Sequence, residues 1–530
     1  MATTITGAEQ SAHAMQQERK KLRKVLTRFD LICFTISAFI ALDTYAVTAA
    51  YGGGEVLFWT ILVMFLYLVP SGLISAELGS TFPVEGGPYS WTRMAFGRYA
   101  GAITATFYWM SNPTWMGGTL AAVTVGTLAS GLMFNTTINT FWSIVIGLCV
   151  VWAITGLSIV EVRFGRWTGI IGTWVRVITL VLFLVLVAWF LVKHGKPAGT
   201  VTWGDLKPSL TGFLAVIGLL QFLFVGFELA SNASEEMRNP KRDVPAMILR
   251  SGTYATVIAL LFIFGILLVL PLDKLANASG FPDAYAAVNG VLGGAQNVVG
   301  WILGVFIVIT LITSGGVWLQ GAARTQAVAG LDGAAPLWLG KFSKAGTPLN
   351  MNILSALVGS AFVIMVFLMS SGSLASFFGV MLSLVVSLTA LQYMLIMPAI
   401  LMLRKKYPDR NRPYRHPGGT VGVWISVICT EVIIVLTAVS LLWPGALEAM
   451  VGRSYDMEYN WGTTRLFFES VTLGSFAVII VLATVFFFIG RRNLANGVVG
   501  ESDLLAIPAE ASGAPQPPTE PLAGPVVAGK

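Results

Sequence analysis

The residues best placed to do chemistry lie in Phe222–Pro245, FLFVGFELASNASEEMRNPKRDVP. An apolar run reaches Gly226 and Phe227, and then a carboxylate, Glu228. Ser231-Asn232-Ala233-Ser234 follows and leads into a basic turn. A carboxylate at the centre of a bilayer costs about 2.5–3.5 kcal/mol on insertion scales, so it is kept for a task. Burial disfavours the charged form of a carboxyl, which suits Glu228 to proton exchange. The structural alternative is a carboxylate satisfied by backbone N–H groups of a broken helix. Gly226 and the small polar residues predict such a break. Irregular backbone at that depth is tolerated where it lines a cavity.

Four further sites carry polar groups inside apolar runs. Asp43 can take an ammonium group or a proton; the alternative is an acid near a helix end, facing water or capped by Thr44. Arg176 stands ten residues beyond Arg166, roughly 15 Å along a helix, which favours an internal position over snorkelling to the membrane face. Asn112 precedes Pro113, which removes a helix hydrogen bond and frees a carbonyl; amide and carbonyl are both candidate pocket groups. Thr313-Ser314-Gly315-Gly316 offers hydroxyls to a ligand or ion, and small residues at helix contacts explain it equally well. Glu431 is also deep, and is read as a packing or dimer-contact residue.

The elements that must hold these groups are membrane spans. The chain has 530 residues, 55% hydrophobic and 11% charged. Apolar runs of about 20 residues, enough to cross a bilayer, recur along it. Twelve are expected: 30–50, 54–75, 97–127, 139–160, 167–192, 210–234, 247–271, 295–325, 349–370, 374–403, 421–443 and 465–489. With both termini cytoplasmic, 25 of the 33 Lys and Arg residues fall on the inside and six on the outside. That asymmetry follows the positive-inside rule. The net charge of +7 therefore reflects topology, and its spread over many short loops gives no footing for nucleic acid.

Cys33, Cys149 and Cys429 all fall within spans and imply no disulfide framework. His13, His194 and His416 lie in tails or loops, so no metal centre, cofactor or enzyme active site is expected. The N-terminus lacks the apolar core of a signal peptide and is read as a basic cytoplasmic arm, residues 1–29. Its Glu18–Lys24 cluster is suited to anionic lipid. Residues 491–530, rich in Ala, Pro and Gly, are read as a disordered cytoplasmic tail.

Four loop motifs carry a family resemblance. They are Ala76-Glu77-Leu78 with Phe82–Trp91; Gly226-Phe227-Glu228 with Glu235-Glu236 and Asn239–Pro245; Ala323-Arg324 with Asp332–Pro336; and Arg412–Gly419. In this order, each on the expected cytoplasmic side, they resemble the amino acid–polyamine–organocation (APC) permeases over residues 30–490. The resemblance implies an all-α, twelve-helix membrane protein with a five-plus-five inverted-repeat (LeuT-like) fold. Repeat one would span 30–192, repeat two 210–403, and 421–489 would be peripheral. Helices 1 and 6 would break at mid-membrane, where half-helix ends present free N–H and C=O groups to a ligand. The span-one site would be Ser37, Ala38 and Phe39. Phe222 or Phe224 would cover the substrate, Glu228 would gate or couple protons, and Arg176 would occupy the place of a sodium ion. Arg stays charged at biological pH, so it can replace sodium without titrating. The loops Glu85–Trp91 and Asn239–Pro245 would be cytoplasmic hinges and locks.

This chain departs from the pattern at Thr35–Thr44, where many amino acid permeases carry a Gly-Ser-Gly break and this one has no Gly. Together with Asp43, that favours a polyamine or decarboxylated amine. The span-six and Pro417-Gly418-Gly419 wording instead resembles the glutamate/GABA antiporter branch. The expectation is a secondary active, sodium-independent permease for amino acids or related organic amines, proton-coupled or exchange-driven. No Walker A motif supports ATP drive. A transporter-fold channel or nutrient receptor is the alternative of a different class. The expected setting is a bacterial inner membrane, as monomer or homodimer.

Overall fold

A computed structural model describes residues 27–40, 42–160, 162–194, 203–229, 240–272, 275, 279–343, 346–369 and 374–496. The basic arm up to Leu26, Ser231–Ser234, Glu235-Glu236, Asn239 and the tail beyond Asn496 lie outside them. Among the described residues the protein is helical and contains no strand.

The first helical pair is α1 (Arg28–Phe39) and α2 (Leu42–Gly52). A capping box starts α1: Thr27 N–H donates to Asp30 Oδ2 at 2.9 Å, and Asp30 N–H donates back to Thr27 Oγ1. The two helices are bent by 42° around Ile40, whose backbone is extended. Then come α3 (Val56–Thr81), α4 (Gly87–Phe96), α5 (Arg98–Trp115) and α6 (Ala121–Ala129). A π-turn, Met116–Leu120, joins α5 to α6 just after Pro113, whose missing N–H loosens the ladder there. Gly117 lies in that turn because the backbone at Gly359 passes close; a Cβ would run into the Gly359 carbonyl. Next are α7 (Thr140–Val160), α8 (Val162–His194) and α9 (Leu210–Leu223), the last started by Ser209, which accepts from Gly212 N–H.

The second half runs through α10 (Pro240–Val269), α11 (Gly280–Asn289), α12 (Gln296–Leu331), α13 (Leu349–Met369), α14 (Leu374–Ile396) and α15 (Ala399–Lys406). It ends with α16 (Gly419–Leu442), the short α17 (Ala446–Met450) and α18 (Met457–Trp461), and α19 (Arg465–Ala495). Helix α19 continues past the expected end of the last span, so Arg491 and Arg492 belong to its final turns. Those positive side chains complement the helix C-terminus.

Nine helices among the described residues are long and apolar enough to cross a membrane, or ten with the bent α1–α2 pair as one span. Two expected spans differ for physical reasons. The helix that opens span 210–234 ends at Leu223, shortly before Gly226 turns the chain at φ +101°. Span 97–127 is helical throughout but carries Thr104, Thr106, Ser111, Asn112, Thr114 and Thr119, all buried, and falls outside the apolar nine.

Large apolar side chains stay exposed on outward faces, among them Trp152, Val185, Leu357, Ile425 and Val481. An apolar exterior of this extent suits lipid rather than water. Inside, α5 packs on α12 and α14, and α8 packs on α1 and α12. This inner set holds the polar groups.

Candidate functional site

The two helix breaks meet at the centre of this set. At the first, the carbonyls freed by the end of α1 are taken by side chains from α8 and α12. Arg176 Nε donates to Ile40 O at 3.2 Å, Ser314 Oγ to Ser37 O at 2.9 Å, and Trp318 Nε1 to Ala38 O at 3.1 Å. Phe39 faces the second break, with its ring 6.5 Å from that of Phe227.

Arg176 is completely buried. Besides Ile40 O it donates to Thr310 O (2.8 Å), Ser314 Oγ (2.5 Å), Ser37 Oγ (3.2 Å) and Thr313 Oγ1 (3.4 Å). The guanidinium therefore sits in a cage of five oxygens at the C-terminal, partially negative end of α1. A charge so far from water needs such partners. Ser37 is held further by Gly169 O and Thr173 Oγ1.

At the second break, Phe224 ends α9 and Gly226 turns the chain. A Cβ at Gly226 would lie 2.9 Å from the Trp318 ring and 3.4 Å from Ala38 Cβ, so glycine is required by space as well as by φ. Gly226 N–H donates to Tyr393 Oη at 3.2 Å. Glu228 is fully buried and accepts from Tyr108 Oη on Oε1 (2.7 Å) and from Tyr393 Oη on Oε2 (2.6 Å). Two tyrosine hydroxyls, not the backbone N–H groups alone, thus satisfy this carboxylate. They tie the break to α5 and α14. Phe222, Phe224 and Phe227 are all buried, and the Phe227 ring lies 5.7 Å from that of Tyr393, tilted by 33°.

Asp43 opens the first turn of α2. It is 4% exposed, its Oδ2 accepts from Trp115 Nε1 at 2.8 Å, and its Oδ1 has no hydrogen-bond partner. Trp115 meets Trp318 edge to face at 6.3 Å. One helical turn before Trp115, Asn112 is buried with neither its Oδ1 nor its Nδ2 paired. An unpaired buried polar group costs about 1–3 kcal/mol, so these atoms are candidate partners for a polar ligand group.

The loop motifs converge at one end of the bundle. Glu85 pairs with Arg324 at 2.9 Å, both nearly buried. Asp332 accepts from Tyr89 Oη (2.5 Å) and Arg93 Nε (2.9 Å). Glu77 binds Arg404 on a two-point fork and accepts from His416 N–H at 2.8 Å. Three of the four motif groups found in sequence thus bond to one another or to adjoining loops. In the other, residues 230–239 lie outside the described residues. Glu431, on α16, is half-buried with Oε1 unpaired.

Trp115, Trp318, Tyr393, Thr310 and Tyr108 belong to the candidate site, and the sequence did not single them out. Their signal was weak: hydrogen-bonding side chains inside apolar helices, indistinguishable from packing residues until their partners are known.

Among known proteins, the amino acid permease family model matches residues 26–457. The chain is 28% identical over 428 residues to the probable agmatine/putrescine antiporter AguD of Lactococcus lactis, covering 79% of this chain and 89% of that protein. It is 26% identical over 423 residues to an uncharacterized transporter of Legionella pneumophila, covering 77% and 88% of the two chains. It is 26% identical over 427 residues to the branched-chain amino acid permease BcaP of Bacillus subtilis, covering 75% and 85%. The all-helical bundle, its apolar spans and this match over most of the chain agree: the protein belongs to the amino acid permease family of the APC superfamily, multi-pass membrane transporters for amino acids or related amines.

Proposed function

We propose that the protein is a sodium-independent secondary transporter for substrates that carry an ammonium group, organic amines first and amino acids second. The observation that carries this reading is Asp43 Oδ1, a buried and unpaired carboxylate oxygen beside Trp115 and Trp318. A carboxylate with aromatic neighbours favours a cation. Donors for a substrate carboxylate are scarce: the break in span one has no Gly, and Gly226 N–H is given to Tyr393. The likeness to an agmatine/putrescine antiporter supports the same choice. The unpaired Asn112 amide can take a second polar end of the substrate, which keeps zwitterions within reach.

The accompanying architecture is the twelve-span, five-plus-five inverted repeat, with the Asp332 end cytoplasmic. Arg176 fills its five-oxygen cage as a fixed cation, in place of sodium. Asp43 can hold a proton or a substrate ammonium but not both, so one carboxylate suffices to couple exchange. Glu228 would hold the second break to α5 and α14. A second reading puts the proton on Glu228, favoured by its complete burial.

The test uses purified protein in liposomes. A panel of amines and amino acids competes for labelled putrescine uptake, with and without a proton gradient or an internal counter-substrate. Saturable uptake competed by amines and lost in Asp43→Asn is expected. Failure of counterflow with every compound would point to a channel or receptor.

A further inference from the structure

A cavity lies at the opposite end of the bundle from the Asp332 cluster. It is bounded by α2, α9, α14, α16 and the segment carrying α17 and α18. None of Ser37, Asp43, Asn112, Arg176 or Glu228 lines it. About 70 Å³ is open inside to the centres of water-sized molecules. One water needs about 10–15 Å³ by that measure, so several waters or one small organic molecule fit.

Its chemistry is one-sided. Glu448 lines the cavity, is 9% exposed, and its Oε2 is buried without a hydrogen-bond partner. Beside it stand three aromatic rings, Tyr51, Tyr455 and Trp461. Tyr51 and Trp461 lie 6.4 Å apart, and Trp461 Nε1 is turned away to Tyr455 Oη at 2.6 Å. The remaining wall is largely aliphatic, with Ser383 and Ser440 giving their hydroxyl hydrogens to the carbonyls of Leu441 and Thr437. No Lys or Arg is among the described residues that line it. Two glycines shape the space. Gly379 lies under the Trp461 ring, and Gly445, at φ +87°, packs against Tyr455.

We infer that this cavity is a second binding site, for a small primary alkylammonium ion, separate from the central one. An ammonium group supplies the hydrogen bond that Glu448 Oε2 lacks and pairs with the carboxyl group. The aromatic faces attract the cation, and the aliphatic wall accepts a short alkyl chain. An anion meets only the carboxylate, and a wholly apolar guest leaves Glu448 unpaired. The occupant touches α2 and α9 on one side and α14 and α16 on the other. It therefore bridges the two broken helices to their neighbours, and occupancy holds these elements in one arrangement.

The test reads occupancy locally and without transport. Ser440→Cys is made in a background of Cys33→Ala, Cys149→Ala and Cys429→Ala. Modification by 2-aminoethyl methanethiosulfonate is followed by intact-protein mass spectrometry. Propylammonium chloride is compared with potassium chloride at equal ionic strength. Propylammonium is expected to slow modification several-fold, and Glu448→Gln to abolish that protection. Asp43→Asn is expected to leave the protection in place. No protection, or equal protection in Glu448→Gln, overturns the site. Loss of protection in Asp43→Asn also overturns it, because propylammonium would then act from the central site. Should Glu448→Gln fail to fold, Gly379→Ala serves. Its Cβ would sit 3.5 Å from the Trp461 ring, an ordinary contact that narrows the cavity. Weakened protection supports the site and unchanged protection overturns it.

Discussion

Tyr393 donates to Glu228 Oε2 at 2.6 Å and, through the same hydroxyl, accepts from Gly226 N–H at 3.2 Å. One side chain on α14 therefore holds both the turn residue and the acid of the second break. Tyr108 donates to the other carboxylate oxygen, Glu228 Oε1.

That double role singles out one variant. Tyr393→Phe takes a partner from both Glu228 Oε2 and Gly226 N–H, at about 1–3 kcal/mol for each group. Unfolding in detergent should show Tyr393→Phe as less stable than the unchanged protein. Equal stability of the two would mean that water replaces the lost hydroxyl.

The oxygen cage of Arg176 predicts an ion dependence. Arg176→Met removes one donor from each of the Ile40 and Thr310 carbonyls and should reduce uptake at least tenfold by abolishing the fixed charge (about 1.4 kcal/mol per tenfold). Sodium chloride, but not choline chloride, should restore part of it. Arg176→Lys keeps the charge but not the fork and should fall between. Uptake in Arg176→Met that ignores sodium would remove the cation-substitute role.

Gly226→Ala places a methyl group 2.9 Å from Trp318 on a backbone at φ +101°. The strained residue alone costs about 1–3 kcal/mol. Displacing Trp318 also breaks its bond to Ala38 O, so transport should fall further than stability does. Near-normal uptake would show that the turn relaxes without disturbing the first break.

His416, in the loop before α16, gives a pH dependence. Its ring is buried, bonded to Pro417 O through Nδ1 and to Ser426 Oγ through Nε2. Burial lowers its pKa below the usual 6.5, so the neutral ring is the native form. Between the lowered native value and 6.5 the unfolded chain binds more protons, and stability falls as pH falls. Thermal unfolding measured from pH 7.5 down to 5.5 should show a smaller loss in His416→Gln than in the unchanged protein. Parallel curves would assign the acid sensitivity to other groups.

Much of the bundle was legible in the chain. Twenty-residue apolar runs locate helices because a backbone in hydrocarbon must satisfy its own hydrogen bonds. Gly226 located the second break through its backbone freedom, and Asp43, Arg176 and Glu228 stood out because charges are rare in such runs. Span 97–127 was found by length although its buried Thr and Ser side chains lower its apolarity. The break after α1 was placed by resemblance, since Ser37-Ala38-Phe39 contains no local breaker.

The sequence by itself therefore determined which segments are helical, where one of them turns, and which buried groups need partners. Only the tertiary structure decided who the partners are. Tyr108 and Tyr393 reach Glu228 from 120 and 165 residues away, and Arg176 reaches Ile40 from 136. Such pairings depend on which helix faces pack together, and no local spacing encodes that. The same packing left Asp43 Oδ1, the Asn112 amide and Glu448 Oε2 without partners, and these are the atoms from which a ligand can be argued.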